Sequence, residues 1–281
     1  MAQPELSYCA VEVRRHDADR FLTALFAPRE RREDLLTLYA FNLELAKVPE
    51  LVSEPMLGRI RLQWWRETIA GIYAGTPRRH AVVLPLAELV TRRGLTRAHF
   101  ESLIDGRERD FEETPPASLA ELESYAAATS STLMSLALEA LGVRGGDADA
   151  AAAALGIAWA LTGLMRAVPF HARQRRLYLP RDAMAEAGAD PDELFARGRT
   201  AGLATVVRRI AERAGEHLAA ARQRRPRLPR AALPALLPAV LADGYLAELR
   251  RAGYEPFALV RRGRHPLAVL SVTFAALRGR Y

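Results

Sequence analysis

Residues 39–50 of this 281-residue chain read YAFNLELAKVPE, and this stretch decides the fold. It belongs to a longer predicted helix over residues 29–47, whose apolar positions recur every three or four residues. The positions that share this helical face are Leu35, Tyr39, Leu43 and Ala46. Pro49 has no amide proton and restricts the residue before it, so the helix is expected to end near this proline.

The same helical periodicity recurs along nearly the whole chain, whereas strand-like alternation is scarce. Ser118 and Glu121 form a capping box, Gly142 suits a helix C-terminus, and Asp147 or Asp149 can cap an Ala-rich buried helix around residues 148–165. No loop is long enough for a domain linker, so residues 1–281 are expected to form one all-α domain. The other predicted helices cover residues 55–74, 80–93, 96–111, 118–141, 201–222, 229–253 with a break, and 266–278.

Composition narrows the class of protein. Hydrophobic residues make up 50% of the chain and charged residues 26%, which suits one large globular domain. The formal net charge is +7, and Lys47 is the only lysine, so arginine carries the positive charge. This excess reflects either the base composition of the genome or attraction to an anionic partner. The arginines are spread along the chain without zinc-finger spacing, so nucleic acid is not an expected partner.

The sequence also bears on the compartment. Cys9 is the only cysteine, which excludes an intramolecular disulfide and agrees with a reducing environment. Residues 1–13 lack the pattern of a signal peptide, and no uncharged apolar run is long enough to predict a spanning helix. We expect a cytoplasmic protein, with peripheral binding to the inner face of the membrane left open.

A second informative stretch lies near residues 155–180. It contains Arg166, Ala167 and His171, and continues to the tripeptide Tyr-Leu-Pro at residues 178–180. Together with residues 39–50 it resembles the squalene/phytoene synthase family. The first motif of that family reads Tyr-Ala-Phe-Cys-Arg, two residues, Asp-Asp, two residues, Asp. The second reads Arg-Asp, three residues, Asp. The resemblance extends over nearly the whole chain and implies an isoprenoid synthase-type helical bundle around a central cavity.

The acidic motifs serve the chemistry of that family. Carboxylates on two facing helices hold magnesium ions, which stabilise the diphosphate that leaves an isoprenoid. In this chain the acidic positions of both motifs are occupied by Ala46, Lys47, Glu50, Ala167 and His171. Four of the five carboxylates are absent, and one position carries a cation. We therefore expect no catalytic residue, no metal site and no cofactor.

The resemblance still marks four candidate ligand-binding residues: Tyr39, Asp105, Arg166 and Tyr178. Arg166 keeps the arginine of the second motif and can bind a phosphate or lipid head group, or form a structural ion pair. Asp105 falls on one face of the predicted helix 96–111 with Glu101, Glu108 and Glu112. That face is either solvated or, mainly at Asp105, a remnant of the cavity lining.

The pattern of loss is similar to one branch of the family, which includes a mitochondrial assembly factor of respiratory complex I and its bacterial relatives. The runs that carry this similarity are residues 40–46, 52–54, 61–65 and 166–171. It implies a non-catalytic bacterial protein that contacts complex I subunits or assembly intermediates and has an isoprenoid, a phospholipid or nothing in the remnant cavity.

Two alternatives stay open. One is an active prenyl transferase with displaced metal ligands, which would require magnesium and at least three converging carboxylates. The other is a peripheral protein that binds anionic lipids through its arginines.

Overall fold

A computed structural model describes residues 6–52, 54–259 and 267–281, and the regular secondary structure in these ranges is entirely helical. The predicted all-α class is therefore confirmed. The α-helices are α1 Tyr8–His16, α2 Ala18–Ala24, α3 Arg29–Ala46, α4 Val48–Leu51, α5 Pro55–Tyr73, α6 Val83–Arg93, α7 Arg97–Gly106, α8 Leu119–Ala126, α9 Thr132–Ala140, α10 Gly146–Arg173, α11 Arg181–Ala187, α12 Pro191–Arg197, α13 Leu203–Arg224, α14 Leu233–Leu236, α15 Pro238–Arg251 and α16 Ala268–Leu277. Ser53 and the arginines at 261, 262 and 264 lie outside the described residues.

Helix α3 is buried on all sides over residues 34–43, beyond the single predicted face, and Ala46 of that face is half-buried. It begins after Pro28, buries Leu35, Tyr39 and Leu43 as predicted, and ends at Ala46. The chain then continues as the short helix α4, with Pro49 in its first turn, where a proline needs no hydrogen-bond partner. The predicted break at Pro49 is thus a junction between two helices, which places residues 46–50 at a corner of the bundle.

Two predicted helices are divided in the structure. Residues 96–111 form α7 followed by a 3₁₀ segment, Arg107–Phe111. Residues 118–141 form α8 and α9 joined by a π-helical turn, Ala127–Ser131. Both interruptions change the direction in which the following side chains point, so a straight helical pattern misplaces them.

The helix caps agree with the sequence in part. Ser118 Oγ accepts a hydrogen bond from the Glu121 amide at 3.3 Å, and Gly142 has a φ of +78° after α9, as predicted. The expectation for Asp147 and Asp149 was wrong, because α10 begins at Gly146 and both aspartates lie in its first turn. They still favour the helix, since a carboxylate in the first turn complements the positive end of the helix dipole.

Helix α10 is the central element of the bundle. It packs against α9, α13 and α15, and its buried side chains contribute to both hydrophobic cores of the molecule. Gly156 lets α10 approach the π-helical turn closely, because an added Cβ would lie within 2.5 Å of the Ser131 nitrogen. The close approach brings the C-terminal half of α10 over the interior of the bundle, where the second motif lies.

Two segments are apolar and long enough to cross a membrane by composition alone: Gly146–Arg173 and Arg230–Arg251. Half or more of the relevant window is buried in each segment. The Ala-rich segment is an inner helix, as predicted, and both segments contribute buried residues to the bundle.

Candidate functional site

The two degenerate motifs end at the same corner of the bundle. Arg176, just after α10, donates from Nη2 to the Pro49 carbonyl oxygen at 2.9 Å and so joins the α10 end to the α4 turn. Lys47 forms an ion pair with Glu12 of α1, with Nζ 3.0 Å from Oε2. Ala46 and Ala167 are half-buried and Glu50 is exposed. The motif position that joins the interior polar cluster is therefore His171.

Asp110 lies at the centre of that cluster and is buried. The hydroxyl groups of Tyr125 and Tyr178 donate to its Oδ1 at 2.8 and 2.9 Å. Arg107 Nη1 donates to Asp110 Oδ2 at 3.3 Å and to the Tyr125 hydroxyl oxygen at 3.1 Å. Both carboxylate oxygens thus accept hydrogen bonds, and the guanidinium balances the charge of the carboxylate.

The cluster spans the distance between the two motifs. On one side Arg107 Nη2 donates a long hydrogen bond to Asn42 Oδ1 of α3, at 3.5 Å. On the other side the Tyr178 ring contacts the His171 ring, with a centroid separation of 4.7 Å. The cluster therefore runs from Asn42 on α3 to His171 on α10. It consists of the Arg107–Asp110 ion pair surrounded by neutral polar side chains, and it connects the two helices that carry the degenerate motifs.

Burial sets the protonation of this cluster. It lowers the pKa of His171 to about 4, although the negative charge of Asp110 acts in the opposite direction. Burial and the neighbouring Asp110 raise the pKa of both Tyr125 and Tyr178. Burial opposes the charged form of Arg107, but its oxygen neighbours Tyr125, Asp110 and Tyr178 raise its pKa overall. Near pH 7 His171, Tyr125 and Tyr178 are consequently neutral, and Arg107 is charged.

An open cleft of about 450 Å³ lies beside the cluster. Its lining carries both signs of charge, and its charged residues are Glu54, Arg109, Asp110, Glu112, Glu113, Arg175, Arg176 and Arg181. On the inner side of Tyr178, near His171, a second space measures only about 10 Å³, which is the size of a single water. Of these two spaces beside Tyr178, only the open cleft is large enough for a ligand.

The four candidate ligand residues do not come together. Tyr178 belongs to the cluster, but Tyr39 is in the core, where the Arg20 guanidinium lies 5.7 Å from its ring centroid. The Arg166 guanidinium stacks on the Tyr245 ring at 3.4 Å from the centroid. A cation–π contact of this kind is favourable when it is shielded from water, and phosphate or head-group binding by Arg166 stays a prediction.

Asp105 lies on a solvated face, which is one of the two alternatives that the sequence left open. Its side chain is 63% exposed and accepts hydrogen bonds from Arg66 at the surface, with Nη2 2.8 Å from Oδ1. The same Arg66 Nη2 donates to Glu108 Oε1 at 3.0 Å, so Asp105 and Glu108 share one surface ion-pair network, whereas Glu112 pairs with Arg109. Asp110, rather than Asp105, is the carboxylate of this segment that reaches the interior.

The described residues do not fit magnesium ions of the kind the family uses. Three or more His, Cys, Asp or Glu side chains never converge in a metal-binding arrangement within residues 6–52, 54–259 and 267–281. Asp110 is already bonded to Arg107, Tyr125 and Tyr178. Magnesium prefers several carboxylate oxygens, so this donor set offers too few.

Sequence reasoning missed Arg107 as the partner of Asp110. The two residues are three positions apart, a spacing that allows an ion pair in a helix. That spacing alone gives no sign that the pair is buried. The approach of Tyr125 and Tyr178 depends on the packing of α8 and of the loop after α10, which local patterns do not reveal.

Comparison with known proteins agrees with this fold. A squalene/phytoene synthase family model matches residues 13–270, and the chain belongs to this family. It is similar to a Rattus norvegicus protein described as "NADH dehydrogenase (ubiquinone) complex I, assembly factor 6", with 34% identity over 98% of this chain and 82% of the relative. It is also similar to the phytoene synthase of Rhodobacter capsulatus, with 27% identity over 76% of this chain and 63% of that protein.

A solved structure gives the same fold. Squalene synthase HpnC from Alicyclobacillus acidocaldarius superposes with a TM-score of 0.79 and 22% identity, over 89% of this chain and 94% of that one. The predicted isoprenoid synthase-type bundle is thus confirmed, as is the resemblance to the complex I assembly branch.

Proposed function

We propose that this chain is a non-catalytic member of its family that assists the assembly of respiratory complex I, the NADH:quinone oxidoreductase. The observation that carries the proposal is the Arg107–Asp110 cluster between the two motifs, in a position where prenyl transfer calls for several free carboxylates. The similarity to assembly factor 6 over 98% of the chain supports the assembly role. The partners would be complex I subunits or assembly intermediates, at the inner face of a bacterial cytoplasmic membrane.

The electrostatics argue against the enzymatic alternative. Ionisation of an allylic diphosphate leaves a polyanion, which magnesium ions must neutralise. The cluster has one anion and one cation, and Lys47 is already paired with Glu12. Asp105 and Glu50, which the alternative needs as replacement ligands, are exposed and lie outside the cluster.

Deletion and complementation test the assembly role. A clean deletion in the organism that encodes the chain is expected to lower NADH:quinone oxidoreductase activity and the amount of assembled complex, and the wild-type gene is expected to restore both. Glu50→Gln removes the last carboxylate at the motif positions and is expected to complement as well as wild type. Normal complex I in the deletion strain would refute the assembly role.

A separate assay tests catalysis. Purified protein incubated with farnesyl or geranylgeranyl diphosphate and magnesium is expected to form no condensed product, while an active squalene synthase run in parallel does. Product formation that disappears in Glu50→Gln would establish the prenyl transferase alternative instead.

A further inference from the structure

Helix α16 presents an unusually apolar surface. Leu267, which precedes it, and Val269, Leu270, Phe274 and Leu277 are each between 54% and 74% exposed. Positions 267, 270, 274 and 277 follow the spacing of one helical face. A contiguous patch of large exposed apolar side chains on a folded protein usually marks a binding surface.

The opposite face of α16 attaches the helix to the bundle. Val272 and Ala276 are buried, and α16 packs against α15. The helix is therefore anchored with its apolar face outward. It has ten residues, about half the length needed to cross a bilayer, so it suits a position in the plane of a membrane surface.

Helix α16 carries no acidic side chain of its own, and Asp243 of the adjacent α15, which lines a pocket with Ala268 and Ser271, is paired with Arg222. Residues 256–281 contain five arginines and neither aspartate nor glutamate. The Arg278 guanidinium lies 3.9 Å from the centroid of the Phe274 ring, next to the apolar face, and Arg280 is exposed. Arginine at the edge of an apolar surface can bury its stem and extend its charge toward lipid phosphates.

We propose that α16 is a membrane-docking helix that lies in the surface of an anionic phospholipid bilayer. Its apolar face would enter the region between head groups and acyl chains, while the flanking arginines bind phosphates. A bilayer fits better than a protein groove, because the exposed face lacks any acidic side chain and combines large apolar groups with arginine. Helix α16 would provide the surface for the peripheral membrane location proposed above, and its binding to lipid does not depend on the assembly role.

Vesicle flotation tests this proposal. The full chain is mixed with vesicles of phosphatidylglycerol and phosphatidylcholine, or of phosphatidylcholine alone, and the bound fraction is measured. Wild type is expected to bind the anionic vesicles and to lose affinity as salt rises. Leu270→Glu with Phe274→Glu is expected to weaken binding about tenfold or more, because two apolar side chains that would enter the bilayer are lost. Arg278→Glu with Arg280→Glu is expected to weaken binding to anionic vesicles alone.

A matched control uses another exposed apolar patch. Leu51 and Ile60 are 59% and 58% exposed, similar to Leu270 and Phe274, but lie at α4 and α5. Leu51→Glu with Ile60→Glu is expected to bind vesicles as wild type does. Circular dichroism confirms that each variant keeps its helical content.

Three results would overturn the proposal. They are failure of wild type to bind anionic vesicles, unchanged binding by the α16 variant, and loss of binding in the control pair alone. If the α16 variant loses a protein partner but binds vesicles normally, the helix is a protein interface and the proposal is wrong. Each of these results leaves the complex I experiment unaffected.

Discussion

A single buried aspartate organises the site. Asp110 accepts hydrogen bonds from Tyr125, Tyr178 and Arg107 in the interior, where an unpaired carboxylate would be costly. Two other buried carboxylates are compensated similarly: Asp34 by Arg92 and Arg93, and Glu139 by Arg144 and the amide of Thr96. Asp110 thus has a partner set typical of a structural carboxylate, although it lies where the family performs chemistry.

His171 makes stability depend on pH. Burial lowers its pKa from 6.5 in a model peptide to about 4 in the folded chain. Below pH 6.5 the unfolded chain binds a proton at His171, whereas the folded chain does not do so until the pH nears 4. The contribution of neutral His171 to the free energy of unfolding is therefore complete above pH 6.5 and is lost as the pH falls toward 4. The loss reaches about 3 kcal/mol by the linkage relation.

Urea denaturation between pH 7 and pH 4 measures this effect (a range set by the two pKa values). His171→Gln and His171→Phe are both expected to show less loss of stability than wild type over this range. The unfolding free energy of wild type minus that of either variant is expected to fall by about 3 kcal/mol from pH 7 to pH 4. Parallel pH profiles for wild type and both variants would contradict the prediction.

Among the elements, α10 shows how backbone geometry positions the site. It passes the π-helical turn Ala127–Ser131 at Gly156, and Ser131 Oγ donates to the Ala153 carbonyl oxygen at 2.7 Å. This contact sets the depth at which α10 lies, and therefore where His171 meets Tyr178. A larger residue at 156 would force the helix away from the turn.

Gly156→Ala is expected to destabilise the protein by about 1–3 kcal/mol, because the new methyl group overlaps the Ser131 backbone. Gly163→Ala is the matched control on the same helix, where an added Cβ has nothing within 4 Å. It is expected to stabilise the protein by about 0.5–1 kcal/mol through helix propensity. Equal effects of the two substitutions on the urea midpoint would disprove close packing at Gly156.

At the scale of the whole molecule, the interior cluster and the exposed surface of α16 differ in charge. The interior cluster pairs one cation with one anion, whereas the segment around α16 is basic and apolar on its exposed face. The interior therefore lacks the negative potential that collects magnesium, and the outer surface has the positive potential that attracts anionic lipid.

The melting temperature in the presence of magnesium and farnesyl diphosphate tests whether the interior binds a metal–diphosphate complex. A ligand that binds only the folded state at 100 times its Kd adds about 2.7 kcal/mol, which corresponds to a Tm increase of roughly 5–10 °C. Magnesium with farnesyl diphosphate is expected to leave Tm as it is in sodium chloride of equal ionic strength. A rise of the size given above would show a metal–diphosphate site and contradict the interpretation of the cluster.

The sequence by itself determined the all-α class, most helix positions, the family and the loss of the acidic motifs. Those features depend on local periodicity, on capping residues and on the residue types at Ala46, Lys47, Ala167 and His171. All of these can be read directly from the sequence. Only the tertiary structure decided that Asp110 replaces Asp105 inside, that Arg107 neutralises it, and that α16 exposes its apolar face. Each of these depends on which helices meet in space and where a helix changes its winding, and residues far apart in the chain set both.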